Sequence, residues 1–273
     1  MLDLDIQVPV RHPHETHWTG LYRFNQNGLQ LPYKDIRVSD IQGEIAIDEH
    51  GVRSGNIGAM MLGEELLVEI SSLLPDAAQG TPEVLLNVRS KLSRSGMNHL
   101  LGNGLAGYFQ GEAPWVFGMR FAGKASRLAM SMDMRGIGTN LPPPLDKTVG
   151  VPLTLNLSSV AANLGPALEG LDVHLGDRAG GRLLFQRRAA GGWSFVRGRL
   201  DVGGDSLLPT PDGVGLHLSV KAPSLDADRW RQVMRAAAIN QGSAAPDLVT
   251  RYSGEVGNLQ LFGRHFGQLS LDW

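Results

Sequence analysis

The sequence contains no cysteine, which excludes disulfide bonds, cysteine-ligated zinc sites and thiol catalysis. It also lacks any window that approaches the roughly 18 to 20 continuous apolar residues of a membrane-spanning helix. The sequence has no excess of positive charge, because it contains 25 Lys and Arg residues and 27 Asp and Glu residues. The basic residues also do not form a continuous block. Nucleic-acid binding needs a concentrated positive surface, so these absences argue against a nucleic-acid partner.

The usual motifs of catalysis are also missing. The sequence has no G-x-S-x-G nucleophile motif, and its glycine-rich stretches lack the lysine of a nucleotide-binding loop. Two pairs of acids could act as paired carboxylates, Glu64 with Glu65 and Asp201 with Asp205, but two acids near a turn are usually solvated. We therefore expect that the protein is not an enzyme and needs no cofactor, and a hydrolase built on these acids is the weakest alternative.

Three histidines near the N-terminus raise the question of a metal site. His12, His14 and His17 fall within the polar stretch RHPHETH. They are not accompanied by the pattern of outer hydrogen-bonding partners that orients metal ligands. The sequence therefore favours a solvated loop, and we expect no metal.

The N-terminal segment does not resemble a targeting signal. MLDLDIQVPV is acidic and alternating, and it has neither the basic start nor the apolar core of a signal peptide. We expect this segment to be a strand. We also expect the chain to be a fragment, or a truncated relative, of a longer protein.

What the sequence does contain is a succession of short, alternating apolar runs. Glycine and proline number 35 and 15, which suits short strands joined by turns. In 126–134, 151–157 and 214–220, apolar residues alternate with small or polar ones, so each predicted strand has one apolar and one wetter face. The spacing of these runs is typical of an antiparallel sheet. A tight hairpin is predicted at Asn27-Gly28, because this dipeptide supplies the positive φ of a two-residue turn.

Two segments depart from the alternation and predict short amphipathic helices. In 90–102 an apolar stripe follows Ser90, a candidate N-cap, and Gly102 ends the segment. In 226–238 the candidate N-cap is Ser224 or Asp226. The apolar stripe of this second helix comprises Trp230, Val233, Met234 and Ala237.

A proline-rich stretch separates two of the predicted strands. Residues 135–157 contain Pro142, Pro143 and Pro144, which remove three backbone donors in a row and fix φ. We therefore predict an extended, non-helical connector between the strands on either side.

Five segments carry a resemblance to a known family. In chain order they are IQGEIAIDEHGVRSGNIGAMMLGEELLVEI, GLAGYFQGEAPWVFGMRF, RGIGTNLPPPLDKTVGVPLTLNL, APSLDADRWRQVM and LQLFGRHFGQLSLDW. The third contains a G-x-x-x-x-L-P-x-P-L-x-K element, and the fourth an L-D-x-D-x-W helix start. This ordered set resembles the YhdP branch of the AsmA-like family, although Pro114 before Trp115 departs from the family pattern.

The resemblance implies an elongated, curled antiparallel sheet, a repeating, taco-like β-groove. In the family, the concave apolar face of this groove guides phospholipid acyl chains through the periplasm, between the inner and outer membranes of bacteria. Family members are several times longer and are anchored in the inner membrane, so we expect this chain to be a central or C-terminal part of such a parent. We expect one continuous segment, 1–273. Its three parts are a first part, 1–122, which contains the first helix, a central part, 123–222, associated with the proline-rich hinge region, and a last part, 223–273, which contains the second helix and the closing strands.

Alternation and resemblance together nominate the side chains that would line the groove. The nine candidates are Leu128, Met130, Met132, Val151, Leu153, Leu155, Val214, Leu216 and Leu218. The predicted function is thus non-enzymatic lipid binding in the bacterial envelope, with phospholipid acyl chains as the partner. The alternative is a closed β-sandwich module with a dry core, because periodicity does not distinguish a closed sheet from an open one.

Overall fold

Alternating apolar and polar residues give a chain that is mostly β-strand. The computed structural model describes residues 2–8, 11, 17–31, 36–73, 83–123, 125–160, 168–188, 192–203, 213–238 and 249–272. Within these ranges there are 21 β-strands, two α-helices and a short 3₁₀ helix, Met134–Gly136. The prediction of a mostly β fold with two short helices is confirmed.

The strands are numbered in chain order. The first ten are β1 (Leu2–Gln7), β2 (His17–Gln30), β3 (Arg37–Asp48), β4 (Gly51–Ser54), β5 (Ile57–Met61), β6 (Glu64–Leu73), β7 (Glu83–Leu92), β8 (Phe109–Gly111), β9 (Ala113–Ala122) and β10 (Ala125–Asp133). The others are β11 (Ile137–Thr139), β12 (Thr154–Val160), β13 (Leu168–Leu175), β14 (Ala179–Arg187), β15 (Trp193–Val202), β16 (Gly215–Ala222), β17 (Leu225–Asp226), β18 (Val249–Val256), β19 (Leu259–Leu261), β20 (Arg264–Phe266) and β21 (Leu269–Asp272). The helices are α1 (Arg94–Ala106) and α2 (Ala227–Ala238).

The chain divides into two compact units. The first comprises Met1–Lys91 and Trp115–Ala129, and the second comprises Leu92–Pro114 and Met130–Trp273. The first unit therefore holds the strands from β1 to β6 and nearly all of β7 and β9. The second holds both helices and the strands from β11 onwards.

In the first unit the strands pair antiparallel in the order β1-β2-β3-β4-β6-β7, and β5 pairs with both β3 and β6. The register sets Leu4 opposite Gly20, and Tyr22 opposite Ile45. These residues share one face of the sheet, because paired residues and every second residue along a strand point the same way. Tyr22 packs edge-on against Phe24 on this face, with ring centroids 4.8 Å apart.

The hairpin predicted at Asn27-Gly28 is wrong. His17–Gln30 is one strand that pairs with β3 on both sides of this dipeptide, with register shifts in between. Gln26 has φ 54°, and the Asn27 side-chain oxygen accepts a hydrogen bond from the Asn25 N–H at 3.0 Å. A bulge thus accommodates the turn-forming residues, because pairing with β3 outweighs the local turn preference.

In the second unit β12, β13, β14 and β15 pair antiparallel in chain order. The order continues β15-β16-β18-β21, and both the β15–β16 and the β16–β18 pairs are parallel. The sheet is therefore mixed, whereas the sequence predicted antiparallel pairing throughout. Parallel neighbours need a long crossover connection, and α2 lies in the connection between β16 and β18. Alternation within a strand carries no information about the direction of its neighbour.

The N-cap of helix α1 lies three residues after the predicted one. Ser93 occupies the N-cap position, and its carbonyl accepts a hydrogen bond from the Met97 N–H at 2.9 Å. Ser90 instead lies in β7, where its hydroxyl donates to the Glu65 carbonyl at 2.6 Å, so the predicted cap is wrong. Gly102 interrupts the helical backbone with φ 77°, as its assignment as a stop predicts, and one more turn follows it.

Helix α2 begins where the sequence predicts. The Asp226 carboxylate accepts a hydrogen bond from the Arg229 N–H at 2.9 Å, so Asp226 is the N-cap of the two predicted candidates, Ser224 and Asp226. Val233 is buried, and the Trp230 indole donates to the Pro143 carbonyl at 3.0 Å. Met234 is 65% exposed, so its predicted place in the packed stripe is wrong. The helices contact each other, α1 also contacts β8, and α2 contacts β19.

The proline-rich stretch folds back on itself, so the predicted extended connector is wrong. Thr139 and Lys147 exchange both backbone hydrogen bonds, at 2.7 and 3.2 Å. Lys147 is 5% exposed, and its ammonium donates to the Ile137 carbonyl at 2.6 Å. Burial lowers the pKa of Lys147, and the charge of Arg178 lowers it further. A buried lysine thus closes the proline stretch into a compact loop.

Candidate functional site

The strand register of the second unit brings apolar residues from six strands onto one face. Residues paired across neighbouring strands share a face, as does every second residue along a strand. From β12 to β16, the first row is Leu155, Leu175, Ala179, Val202 and Val220. The second row is Leu157, Val173, Gly181, Leu200 and Leu218, and it continues to Tyr252 on β18. We call these two rows, with Leu171, Leu183 and Leu216 of the third, the apolar face.

The apolar face keeps part of its surface in solvent. Each of its leucine and valine side chains is half-buried, and Tyr252 is 50% exposed. The most completely buried large apolar side chains of the unit include Met97 of α1, Ile137 of β11 and Leu184, which lies on the opposite face of β14. The inner face of a closed sandwich excludes water. The apolar face is therefore not a dry core, and part of it is in contact with solvent.

Two glycines interrupt the apolar face where β14 and β15 approach each other. A Cβ atom at Gly181 would lie 2.1 Å from the Arg199 carbonyl oxygen, and a Cβ atom at Gly198 would lie 2.7 Å from the Leu183 side chain. Neither position can therefore take a side chain without displacing its neighbours. Neighbouring backbone and side-chain atoms therefore fill the space beside both glycines.

The opposite face of the same strands carries paired charges. Arg182 donates two hydrogen bonds to Asp172, at 2.6 and 2.8 Å, which raise the pKa of Arg182. Arg199 donates to both oxygens of Asp201, at 2.9 and 3.0 Å, and Asp201 is 3% exposed. We call this side of the sheet the polar face. The segregation is the consequence of alternation repeated in register across the strands.

A histidine and a serine meet on the polar face. His217 Nε2 lies 3.0 Å from the Ser253 hydroxyl. Burial lowers the pKa of His217, and the charges of Arg199 and Arg251 lower it further. The Nδ1 atom is buried without a hydrogen-bond partner among the described residues. A catalytic triad needs an acid on that nitrogen, so this pair does not have the arrangement of a hydrolase.

The acids that could have formed a catalytic pair are not brought together. Glu64 and Glu65 are adjacent in β6, so their side chains point to opposite faces of the strand. Glu64 lies 3.7 Å from the Lys91 ammonium. Asp201 is bound by Arg199, and Asp205 lies outside the described residues.

The N-terminal histidines are only partly described. His12 and His14 lie outside the described residues. His17 Nδ1 lies 2.8 Å from the Glu49 carboxylate. This hydrogen bond, together with weaker hydrogen bonds from the Glu49 and Trp18 backbone, lowers the pKa of Glu49 to about 2. Within the part of the chain that the structure describes, no group of three or more His, Asp and Glu side chains is placed to hold a metal.

Five of the nine groove candidates lie within strands of the second unit. Leu155, Leu216 and Leu218 belong to the apolar face. Met130 and Met132 lie on β10, where Met130 is half-buried and Met132 is 5% exposed. The candidates within β10 and those within β16 are two residues apart and therefore share a face of their strand, as the alternation predicted.

The other four candidates have different surroundings. Leu128 lies on β10 within the first unit. Leu153 is 9% exposed and lies against Gly176, where a Cβ atom would be 2.7 Å from its side chain. Val151 is 40% exposed and lies in the proline-rich stretch shortly before β12. Val214 is 81% exposed and lies just before β16. The groove-lining role of all nine candidates stays a prediction.

Most of the apolar face was missed by sequence reasoning. The residues not nominated include Leu157, Leu171, Val173, Leu175, Leu183, Leu200, Val202 and Val220. Each alternates with polar or small residues in its own strand, so the local signal was present. The strand register, which aligns these residues across the sheet, is a long-range property.

Comparison with known proteins gives one match. A family model described as YhdP protein matches residues 1–273, which span both units. No curated protein and no solved structure matches the chain. In the described ranges, neither helix combines the length and the apolar character needed to cross a membrane.

Proposed function

The chain belongs to the YhdP family, and on this premise we propose that it is a non-enzymatic, lipid-binding segment whose apolar face holds phospholipid acyl chains. The observation that carries the proposal is the half-buried state of the leucines and valines that share this face. A dry core would leave no such surface in contact with water.

The extent of the apolar face also supports an acyl-chain ligand. Six neighbouring strands contribute to it, and at a spacing of about 4.8 Å they extend over roughly 24 Å along the sheet. Transfer of each methylene from water to an apolar surface is favourable by about 0.8 kcal/mol. An acyl chain that leaves a bilayer for this face therefore stays out of water, while its headgroup remains solvated.

The groove candidates on the apolar face are the residues that we propose to contact lipid. They are Leu155, Leu216 and Leu218, joined by Leu175, Leu200 and Val220 from the first and second rows of the same face. Transfer along such a face needs no catalytic group, because each step exchanges one apolar contact for another. The direction of movement is then set by the lipid gradient or by a partner protein.

A matched pair of variants on β12 tests the proposal. Leu157→Asp places a charge on the apolar face, whereas Asn156→Asp places the same charge on the polar face one residue away. Protein expressed in a bacterial envelope and purified in mild detergent is analysed by native mass spectrometry and lipid extraction. We expect near-stoichiometric phospholipid in the parent chain and in Asn156→Asp, and little in Leu157→Asp.

A folded, monodisperse chain that carries no lipid would contradict this proposal. That result favours the second candidate function, a structural module of the closed β-sandwich type. Undiminished lipid in a folded Leu157→Asp variant would likewise place the ligand elsewhere on the molecule.

We further propose that this segment acts in the bacterial envelope, on the periplasmic side, within a longer parent anchored in the inner membrane. Family membership supports this location. An epitope tag inserted in the parent beside Gly150, whose surroundings are open, tests it by protease digestion of intact spheroplasts. Cleavage without lysis is expected, and protection until the inner membrane is broken would contradict the proposal.

A further inference from the structure

The turn between β19 and β20 contains an exposed phenylalanine, Phe262, whose backbone has an unfavourable conformation. Phe262 has φ 53° and Gly263 has φ 69°, a pair of positive values typical of a type I′ turn. The left-handed region disfavours bulky residues other than glycine. Phe262 is nonetheless 71% exposed. Neither burial of the ring nor backbone preference accounts for phenylalanine at this position.

An aspartate of α2 holds this turn in place. The Asp228 carboxylate accepts hydrogen bonds from the Phe262 N–H at 3.0 Å and from the Gly263 N–H at 2.8 Å. These bonds lower the pKa of Asp228, the one from Gly263 most strongly. Both carboxylate oxygens are thus engaged with the turn, which presents the aromatic ring on a fixed support.

One basic side chain of α2 contacts the Phe262 ring, and two further exposed side chains lie on the same face of the helix. The Arg231 guanidinium carbon is 5.3 Å from the centroid of the Phe262 ring, within the range of a cation–π contact. Met234 and Arg235 follow Arg231 by three and four residues, so they lie on the same face of the helix. Met234 is 65% exposed and Arg235 is exposed. We call Arg231, Met234, Arg235 and Phe262 the turn patch.

The surroundings of the turn patch are cationic. The segment Ala227–Ala238 contains Arg229, Arg231 and Arg235 against a single acid, Asp228. The strands β19 and β20 contribute Arg264 and no acid. Asp228 accepts from two backbone amides and also pairs with Arg231 at 3.3 Å. It therefore offsets part of the charge of Arg231, and the surroundings keep a positive balance through Arg229, Arg235 and Arg264.

We propose that the turn patch docks on an anionic membrane surface. Phe262 and Met234 would lie at the boundary between headgroups and acyl chains, and Arg231 and Arg235 would contact phosphate groups. Exposed aromatic and apolar side chains flanked by arginine are the chemistry of interfacial binding. Guanidinium groups bind phosphate through paired hydrogen bonds, which favours a lipid surface over an apolar protein partner. The turn patch shares no residue with the apolar face, so this proposal stands apart from lipid holding.

Vesicle flotation of the full chain tests the proposal. The vesicles consist of phosphatidylcholine alone or of phosphatidylcholine with phosphatidylglycerol, at low and at physiological salt. Phe262→Asn removes the ring but keeps a residue that tolerates positive φ. Arg231→Gln with Arg235→Gln removes two charges, and each arginine near an anionic surface contributes about fivefold in binding.

The control variants make comparable changes elsewhere on the surface. Val149→Asn alters another exposed turn residue, 54% exposed, and Arg53→Gln with Arg89→Gln removes two charges from side chains that are 68% and 60% exposed. We expect binding to anionic vesicles to fall about 25-fold in the double arginine variant of the patch and severalfold in Phe262→Asn. The control variants keep the binding of the parent chain.

Three results would overturn the proposal. They are equal binding to neutral and anionic vesicles, unchanged binding in both patch variants, and a dimer in sedimentation velocity that disappears in Phe262→Asn. The last result would make the patch an interface between copies of the chain. The Leu157→Asp variant separates the two proposals, because it loses co-purified phospholipid through the apolar face and keeps the vesicle binding of the turn patch.

Discussion

At the scale of single residues, Lys147 determines how the proline-rich stretch is closed. Its ammonium donates to the Ile137 carbonyl at 2.6 Å and to the Thr148 carbonyl at 3.2 Å, in a site where the residue is 5% exposed. Lys147→Met keeps most of the side-chain volume and leaves these acceptors without the donor. A buried unsatisfied acceptor costs about 1 to 3 kcal/mol. We expect urea denaturation to give a loss of roughly 2 kcal/mol in the free energy of unfolding.

The matched control is Lys221→Met. The Lys221 side chain is 67% exposed and pairs at 3.4 Å with Glu255, whose side chain is 68% exposed. Exposed ion pairs contribute little, so the free energy of unfolding should change by no more than about 0.5 kcal/mol. Equal losses in the two variants would show that the buried hydrogen bonds of Lys147 do not stabilise the loop.

His217 makes stability depend on pH. Burial, then Arg199 and Arg251, lower its pKa in the folded state from the ordinary value of 6.5, although Asp201 and Asp272 act in the opposite direction. The folded chain therefore binds this proton less readily than the unfolded chain. The contribution to stability is complete above about pH 6.5 and is lost as the pH falls from there towards the folded pKa.

His217→Gln should remove this dependence. We expect the urea midpoint of the parent chain to fall more between pH 7.5 and pH 5.5 than that of the variant. His50→Gln, which alters a side chain that is 64% exposed, is the control and should behave like the parent chain. If the urea midpoint of His217→Gln fell with pH as much as that of the parent chain, groups other than His217 would cause the loss of stability at low pH.

At the scale of elements, the pair of strands β8 and β11 depends on one close approach. A Cβ atom at Gly111 would lie 2.0 Å from the Gly136 carbonyl oxygen, and Gly111 has φ 88°. Gly150 has a similar φ of 92°, but nothing lies within 4 Å of its Cβ position. Gly111→Ala and Gly150→Ala therefore share the cost of a left-handed alanine, about 1 to 2 kcal/mol, and only the first adds a collision.

We expect Gly111→Ala to be the more destabilising of the two by about 1 to 3 kcal/mol, the usual range for forcing extra atoms into a packed site. Thermal and urea unfolding of both variants give this difference directly. Equal destabilisation would show that β8 and β11 can move apart to admit a methyl group, and that the close approach is not structurally required.

The elements also show what local sequence can predict. Alternation predicted the strand character and the two-sided faces of β12 and β16, and Asp226 predicted the start of α2, because these features depend on neighbours within a few residues. Asn27-Gly28 failed as a turn because β2 continues its pairing with β3. The parallel pairing of β16 with β18 was missed because its direction is set by the crossover that contains α2, and alternation within a strand does not specify such a crossover.

At the scale of the whole molecule, the candidate site is a property of register. Leu218 was nominated from its own strand, whereas Leu200 and Val173 became part of the same row only when β13 to β16 were aligned. Each strand supplies its own apolar residues, but their assembly into one surface depends on pairings between residues far apart in the chain. The turn patch is similar, since Arg231 and Phe262 are brought together by the contact of α2 with β19.

The apolar face should make the chain depend on its ligand. Large contiguous apolar surfaces are rare on monomeric proteins, because they drive association in water. A lipid that binds only the folded state raises the free energy of unfolding by about 2.7 kcal/mol at 100 times its dissociation constant. We therefore expect the delipidated chain to melt at a lower temperature and to self-associate, and added short-chain phospholipid to reverse both changes.

Leu157→Asp should abolish the lipid-dependent rise in melting temperature, and Asn156→Asp should retain it. A delipidated chain that stays monodisperse with an unchanged melting temperature would mean that the half-buried leucines of β12 to β16 need no lipid to shield them.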